Sequence, residues 1–367
     1  GYIITVGSDL KGCKGAVELA EKHGFIYASI GIHPHEVKDI TDETYSTIRS
    51  LLKNKKVVAY GEIGLDYHYE HSPKDIQIKR FREQIQIAKE YNLPLIIHSR
   101  DAKDEAVRII KEEKAERLGG VFHCFGGDLG LAKKVVDMGF YISFSGTLTF
   151  PKALEAQNIA REIPIESILI ETDCPYLAPQ PVRGKRNEPA YVKYVAERLA
   201  ELKGLTFDDI GRITSFNAMN LFKIERIAEE GKITYPIRDS LYLNLTNRCT
   251  SSCVFCVRYY TDFVKGHNLR LKKEPGAKEL IDAIGDPKRY KEIVFCGYGE
   301  PLIRLDVVKE VAKAVKKKGG SVRVDTNGHG NLIHKKNILP ELKGLVDSIS
   351  ISLDADDADK YYKICQP

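Results

Sequence analysis

Short apolar runs rich in β-branched residues recur through the first part of the chain, at 3–6, 26–32, 57–63, 94–98, 120–124, 140–145 and 168–172, and each predicts a strand. Between them lie longer stretches whose apolar positions recur at helical spacing. In 74–91, for instance, Ile76, Phe81, Ile85 and Ala88 share one face. Strand–helix alternation of this kind predicts an α/β protein with a parallel sheet, and seven strands with a missing start predict an eight-stranded TIM (β/α)8 barrel lacking its first strand. A doubly wound open sheet is the alternative. It is disfavoured because no Gly-x-Gly-x-x-Gly turn follows the first strand.

The pattern weakens after residue 224. Residues 225–239 carry charge and Pro236 without a strong period, so they are expected to be a linker between a domain at 1–224 and another at 240–367. The alternation then resumes, with strands expected near 241–245, 293–296, 321–325 and 348–353 and helices near 276–284, 306–318 and 355–364. Four strands amount to half a barrel.

Composition changes this picture little. A chain of 367 residues exceeds what one core normally organises, in agreement with two domains. No uncharged apolar stretch is long enough to cross a bilayer, so no membrane association is expected. The formal charge of +5 permits an anionic substrate without by itself implying nucleic acid. Eight cysteines without a signal peptide, some of them in apolar strands (Cys124, Cys296), fit a reducing, cytoplasmic setting rather than a disulfide framework. Cys13, Cys124, Cys174 and Cys365 are read as packing residues. The chain opens on the strand run Gly1-Tyr-Ile-Ile-Thr-Val6 and stops at Cys365-Gln-Pro367 after a helical segment, and is therefore expected to be an internal piece of a longer protein.

Barrel enzymes place their chemistry at the C-terminal ends of strands. There the first domain carries Glu62, His98, His123 and Asp173, one from each of four strands. Mixed imidazole and carboxylate donors suit Zn, Mn, Fe or Mg, and a carboxylate such as Glu62 suits a bridge between two ions. The surrounding stretches Gly31-Ile-His-Pro-His35, Gly61-Glu-Ile-Gly-Leu-Asp66, Ile97-His-Ser-Arg-Asp101, His123-Cys-Phe-Gly-Gly127, Glu171-Thr-Asp-Cys-Pro175 and Arg183-Gly-Lys-Arg-Asn-Glu-Pro189 resemble the TatD family of metal-dependent hydrolases, which includes deoxyribonucleases. The resemblance covers nearly all of 1–224. It implies a TIM barrel with Glu62, His98, His123 and Asp173 as metal ligands, Glu62 and Asp173 being catalytic and Asp173 placed to orient or deprotonate the attacking water. It also implies divalent ions (Zn, Mg or Mn), two of them in the full-length protein, and hydrolysis of DNA or a small phosphoester. The family's His-x-His pair at the end of the first strand would lie before Gly1, so the site is expected to be incomplete. Substrate binding is expected from His35, with His33 beside it, and from Arg183, Lys185 and Arg186 after the last strand, where guanidinium and ammonium groups donate to phosphate oxygens.

The second domain opens with Cys249, Cys253 and Cys256, spaced Cys-x3-Cys-x2-Cys after the apolar run 241–245. Three thiolates can hold three irons of a [4Fe-4S] cube and leave the fourth open. A structural zinc site would need a fourth ligand, for which His267 and Cys296 are the nearest candidates. The loop, with Phe255 before the third cysteine, resembles that of the radical SAM superfamily, and Gly297-Tyr-Gly-Glu-Pro301 resembles its Gly-Glu-Pro element. Together the two halves resemble TatD-family nuclease-associated radical SAM proteins. The resemblance implies the N-terminal half of a partial (β/α)6 barrel, a [4Fe-4S] cluster on the three cysteines, S-adenosyl-L-methionine bound at the open iron, and an electron donor as partner. Phe255 would pack near adenine, the backbone from Gly297 through Gly299 to Glu300 would receive the methionine amino group, and Asn327 and Ser352 (or Asp354) would reach the ribose.

Two functions follow as expectations. One is a bifunctional fusion of a metal-dependent phosphodiester hydrolase with a radical SAM enzyme. The other is a binding or scaffold protein with a degenerate hydrolase barrel and a structural or sensing metal cluster.

Overall fold

Every apolar run of the first part forms a strand in the computed structural model, which describes residues 1–224 and 230–367. The chain divides into two units, Gly1–Arg226 and Ile227–Pro367. In the first unit the order is β1 (Ile3–Gly7), α1 (Leu10–Lys22), β2 (Ile26–Ile30), α2 (Asp42–Leu51), β3 (Val57–Asp66), α3 (Lys74–Tyr91), β4 (Leu95–Arg100) and α4 (Lys103–Glu112). There follow β5 (Gly120–Phe122), α5 (Leu129–Asp137), β6 (Tyr141–Phe144), α6 (Leu154–Glu162), β7 (Ile168–Ile170), α7 (Val192–Lys203) and α8 (Phe207–Leu221). The seven strands pair in sequence order and all in parallel, as a curled TIM-type partial barrel.

Both faces of this sheet are covered, which is why its strands read as unbroken apolar runs. Tyr60, Leu95, Ile97 and Phe122 lie in the layer shared with the helices, where Phe81 and Ile85 of α3 are fully buried. Val58, Ala59, Ile96, Val121 and Leu169 form a second cluster, closed by Leu221, Phe222 and Ile224 at and beyond the end of α8. Because side chains alternate along a strand, His98 follows Ile96, and His123 and Glu171 follow Val121 and Leu169, on this second face.

The second unit contains β8 (Thr234–Ile237), β9 (Ser240–Leu243), β10 (Phe263–Val264), β11 (His267–Asn268), α9 (Ala277–Ile284), β12 (Ile293–Phe295) and α10 (Leu305–Lys317). These are followed by β13 (Val322–Thr326), α11 (Gly330–His334), α12 (Leu339–Leu342), β14 (Ser348–Ile351) and α13 (Ala358–Cys365). Its main sheet runs β14-β13-β12-β9-β8, with β9, β12, β13 and β14 parallel. Leu241, Leu243, Phe295, Val322 and Val324 pack with Val308, Val311 and Val315 of α10.

The segment expected to be a linker differs. Residues 225–229 lie outside the described residues, but 234–237 form β8, antiparallel to β9. Tyr235 is 2% exposed, stacks on Tyr242 with ring centroids 5.4 Å apart, and donates its hydroxyl to the Cys296 carbonyl at 2.7 Å. Pro236 is tolerated because β8 is an edge strand. Four residues are too few to show a period in sequence.

Candidate metal centre and cysteine loop

Glu62 was expected at a strand end, yet β3 runs on to Asp66. Its register against β4 shifts between Tyr60 and Ile63, and such an irregularity re-aims the side chain within it. Glycines make the shift possible. Gly64 has φ +142, and a Cβ there would stand 2.0 Å from the His98 carbonyl oxygen. Two carboxylates, Glu62 and Asp66, are thereby presented from one strand.

Glu62 Oε1 lies 2.7 Å from His98 Nδ1, 2.7 Å from His123 Nε2 and 3.4 Å from His33 Nε2. Asp66 Oδ2 lies 3.0 Å from His98 Nε2 and 2.9 Å from His35 Nε2. Among the described residues, every ion-pair partner of these two carboxylates is a histidine. His33, Glu62 and His98 offer ligand atoms all within 4.8 Å of one another, a set able to hold a metal ion. The site therefore brings together three of the four expected ligands, Glu62, His98 and His123. It adds His33 and Asp66, which sequence reasoning had given no ligand role.

Electrostatics follow from this crowding. Burial alone would push the Glu62 carboxyl up, but the charge and hydrogen bond of His123 and the hydrogen bonds of His33 and His98 hold it well below the usual range. Burial opposes a charge on His123, yet Glu62 and Glu171 raise it well above an ordinary histidine. His98 is raised likewise, against burial, by Asp66 and Glu62. Asp173, at φ +55, makes no side-chain hydrogen bond among the described residues. Burial first, then the negative charges of Glu171 and Glu62 against the opposing pull of His123, push its carboxyl up to about 6.

Helix α3 supports two of the loops. Gln84, fully buried, accepts from the Ile32 amide at 2.8 Å and donates to the Ile32 carbonyl at 3.0 Å, fixing the backbone next to His33. Gln77, two helical turns earlier and also fully buried, does the same for Asp66, at 2.8 and 2.9 Å. Glu171 orients the opposite side: its carboxylate faces His123 Nδ1 at 3.3 Å and accepts from the Cys124 amide at 2.9 Å and the Ser143 hydroxyl at 2.7 Å. A carboxylate behind a histidine fixes the ring's tautomer and direction. The sequence held a signal for these residues, since Asp66 and Glu171 stand inside the quoted motifs.

Of the expected substrate residues, His35 joins the cluster through Asp66 and is partly exposed. Burial and neighbouring His33 lower its pKa against the pull of Asp66. Arg183 is exposed and stacks over the Phe150 ring at 4.4 Å; Lys185 and Arg186 are exposed, and none of the three contacts the histidines among the described residues.

In the second unit, Asn244 fixes the end of β9. Its amide, 0% exposed, donates to the carbonyls of Lys232 (3.0 Å) and Leu269 (2.7 Å) and accepts from the Tyr298 amide (3.0 Å). Gly297 is required by this contact, because a Cβ there would stand 2.4 Å from Asn244 Oδ1; at Gly299 a Cβ would stand 2.1 Å from the Arg248 carbonyl oxygen. The Glu300 side chain turns inward, 3% exposed, accepting from the Leu302 amide, the Thr326 hydroxyl and the Asn327 amide. It ties the turn after β12 to the end of β13. Asn327 Nδ2 turns toward the cysteine loop, donating to Thr250 Oγ1 at 2.9 Å and facing Cys249 Sγ at 3.8 Å. Ser352 and Phe255 are exposed. The three loop cysteines are unbridged and half-buried. Of the two candidates for a fourth zinc ligand, His267 Nε2 meets the Pro236 carbonyl and Cys296 lies beside Asp325. The thiol brought to Cys253 is instead Cys365, whose segment pairs with 252–254.

Comparison with known proteins finds two families along the chain. Residues 1–223 match the family described as TatD related DNase and residues 243–367 match the radical SAM superfamily. The chain is 53% identical over 222 residues to the uncharacterized metal-dependent hydrolase YabD of Bacillus subtilis, covering 60% of this chain and 87% of that one. It is 32% identical over 229 residues to the 3'-5' ssDNA/RNA exonuclease TatD of Salmonella typhimurium, covering 61% and 88%. Among solved structures, the TatD homolog YjjV of Escherichia coli superposes with a TM-score of 0.58 at 32% identity, over 61% of this chain and 87% of that one.

Proposed function

The chain belongs to the TatD related DNase family and carries a radical SAM domain behind it, and we propose that it is a bifunctional enzyme: a metal-dependent phosphodiesterase joined to a radical SAM enzyme. The observation that carries the first half is the Glu62 carboxylate set among His33, His98 and His123, with Asp66 sharing His98. The donors fit divalent ions, since imidazole nitrogens and carboxylate oxygens converge here within ligand distance of one another. Zn, Mg or Mn, when bound, would polarise a phosphoryl oxygen and make water acidic enough to attack at neutral pH. Glu62, His98, His123 and Asp173 would hold such ions. Asp173, with a carboxyl pushed up to about 6, would orient the water and take its proton on Oδ. His35, Arg183 and Lys185 would bind phosphate oxygens of DNA or a small phosphoester.

For the second half, the donor set of Cys249, Cys253 and Cys256 fits a [4Fe-4S] cube better than zinc, because three thiolates satisfy a cube with one open iron. Such a cluster, supplied with an electron by a partner protein, would cleave S-adenosyl-L-methionine. Backbone from Gly297 to Glu300 would receive the methionine amino group, Phe255 would cover adenine, and Asn327 and Ser352 would approach the ribose. Unbridged cysteines throughout are in keeping with a reducing, cytoplasmic compartment. No helix among the described residues is long and apolar enough to cross a membrane.

Both halves are testable on the full-length protein. Cleavage of single-stranded DNA or a model phosphodiester should require divalent metal, stop with a chelator, and fall by at least about a hundredfold in Asp173→Asn, which keeps the size but removes the charge. Undiminished activity in Asp173→Asn would refute the assignment. Anaerobically purified protein should be brown, and Cys253→Ala should be colourless. A colourless wild type with stoichiometric zinc would refute the cluster.

A further inference from the structure

The cysteine loop contains a cation whose three kinds of nitrogen are all engaged within it. Arg258, two residues past the third cysteine, donates Nε to Cys256 Sγ at 3.1 Å, Nη1 to the Asn247 carbonyl at 3.2 Å and Nη2 to the Ser251 carbonyl at 2.9 Å. Because the guanidinium is planar and rigid, these three acceptors are fixed relative to one another. Asn247 lies just before the first cysteine and Ser251 between the first and second, so one side chain spans the whole loop. Arg258 is partly buried, and no carboxylate pairs with it among the described residues. Two of its acceptors are neutral carbonyls. The third is the Cys256 sulfur, which is itself one of the three candidate cluster ligands.

We propose that Arg258 is a positioning residue that holds the loop open for a cluster and, through its N–H···S contact with Cys256, raises the cluster's reduction potential. The inference rests on the cluster reading given above. Reduction adds an electron to the cluster, so a fixed positive charge against one of its sulfurs favours the reduced form. Hydrogen bonds to cluster sulfurs act in the same direction by withdrawing charge from them. Asn327 Nδ2, 3.8 Å from Cys249 Sγ, supplies a weaker, uncharged donor on the other side. Cys253 faces Cys365 instead, and among the described residues no cation donates to its sulfur.

The test uses the full chain, reconstituted anaerobically with iron and sulfide, as wild type, Arg258→Gln and Arg258→Lys. Iron and sulfide content report assembly, and a redox titration followed by electron paramagnetic resonance reports the midpoint potential. We expect four irons per chain in the wild type and a midpoint displaced to more negative values in Arg258→Gln, with Arg258→Lys between the two because it keeps the charge but loses the fork. Circular dichroism identifies any variant that fails to fold, in which case Arg258→Lys alone carries the comparison. Variants that assemble the cluster at the wild-type potential would overturn the proposal. A wild type that takes up no four-iron cluster would instead remove the reading beneath it, and the two failures are told apart by the iron count of the wild type.

Discussion

Replacing Gln84 by Leu changes almost no volume, yet it removes the amide that completes the Ile32 backbone on both sides. The substitution leaves one buried N–H and one buried carbonyl without partners, at about 1–3 kcal/mol each, and recovers about 1 kcal/mol from the more apolar side chain. The net expectation is a destabilisation of roughly 1–5 kcal/mol, centred near 3. The same change frees the backbone beside His33, so the metal centre should suffer beyond the loss of stability. The chain has no tryptophan, so denaturant unfolding is best followed by circular dichroism, with hydrogen exchange of the peptide spanning β2 to α2 as a local readout. Faster exchange around Ile32 and at least tenfold weaker metal binding are expected under conditions where the protein remains folded. Gln86→Leu, at an exposed position on the same helix, serves as control and should stay within about 0.5 kcal/mol of wild type. Unchanged stability, exchange and metal affinity in Gln84→Leu would show that the buried amide does not position this loop.

Two further substitutions test the close approaches that shape each centre. Gly64→Ala places a Cβ where the His98 carbonyl stands 2.0 Å away, at a φ of +142 that L residues rarely adopt, so we expect loss of metal binding and a fall in stability of about 3 kcal/mol or more; a variant with wild-type metal content and melting temperature would contradict this. Asn244→Leu strips partners from the Lys232 and Leu269 carbonyls and the Tyr298 amide, and should destabilise the second unit by about 3 kcal/mol or more while preventing cluster assembly. Normal iron incorporation in that variant would show that the Gly-Tyr-Gly-Glu turn does not depend on Asn244.

What the linear order of residues determines is whatever depends on local periodicity and local motif. The seven strand runs of the first unit, helix α3 and the four parallel strands of the second were legible because a half-buried or fully buried element writes its period into a few consecutive residues. The cysteine spacing and the ligand types Glu62, His98 and His123 were legible for the same reason, since each stands at or near the end of an apolar run. Tertiary structure decided the rest. Strand β8 escaped notice because its stability comes from the stacking of Tyr235 on Tyr242 and from pairing with β9, not from a period of its own. Glu62 sits inside β3 rather than at its end because a register shift, allowed only by flanking glycines, turns it toward the histidines. His33 and Asp66 become neighbours of His98 because parallel pairing of successive strands brings together residues more than thirty positions apart. Glu300 is a further case: its carboxylate accepts from two backbone amides and a hydroxyl, the Thr326 and Asn327 partners coming within reach only through the packing of β12 against β13. Side-chain type and spacing name the chemistry, while the distances that decide which groups share a proton or an ion arise from contacts between strands, about which a local pattern carries no information.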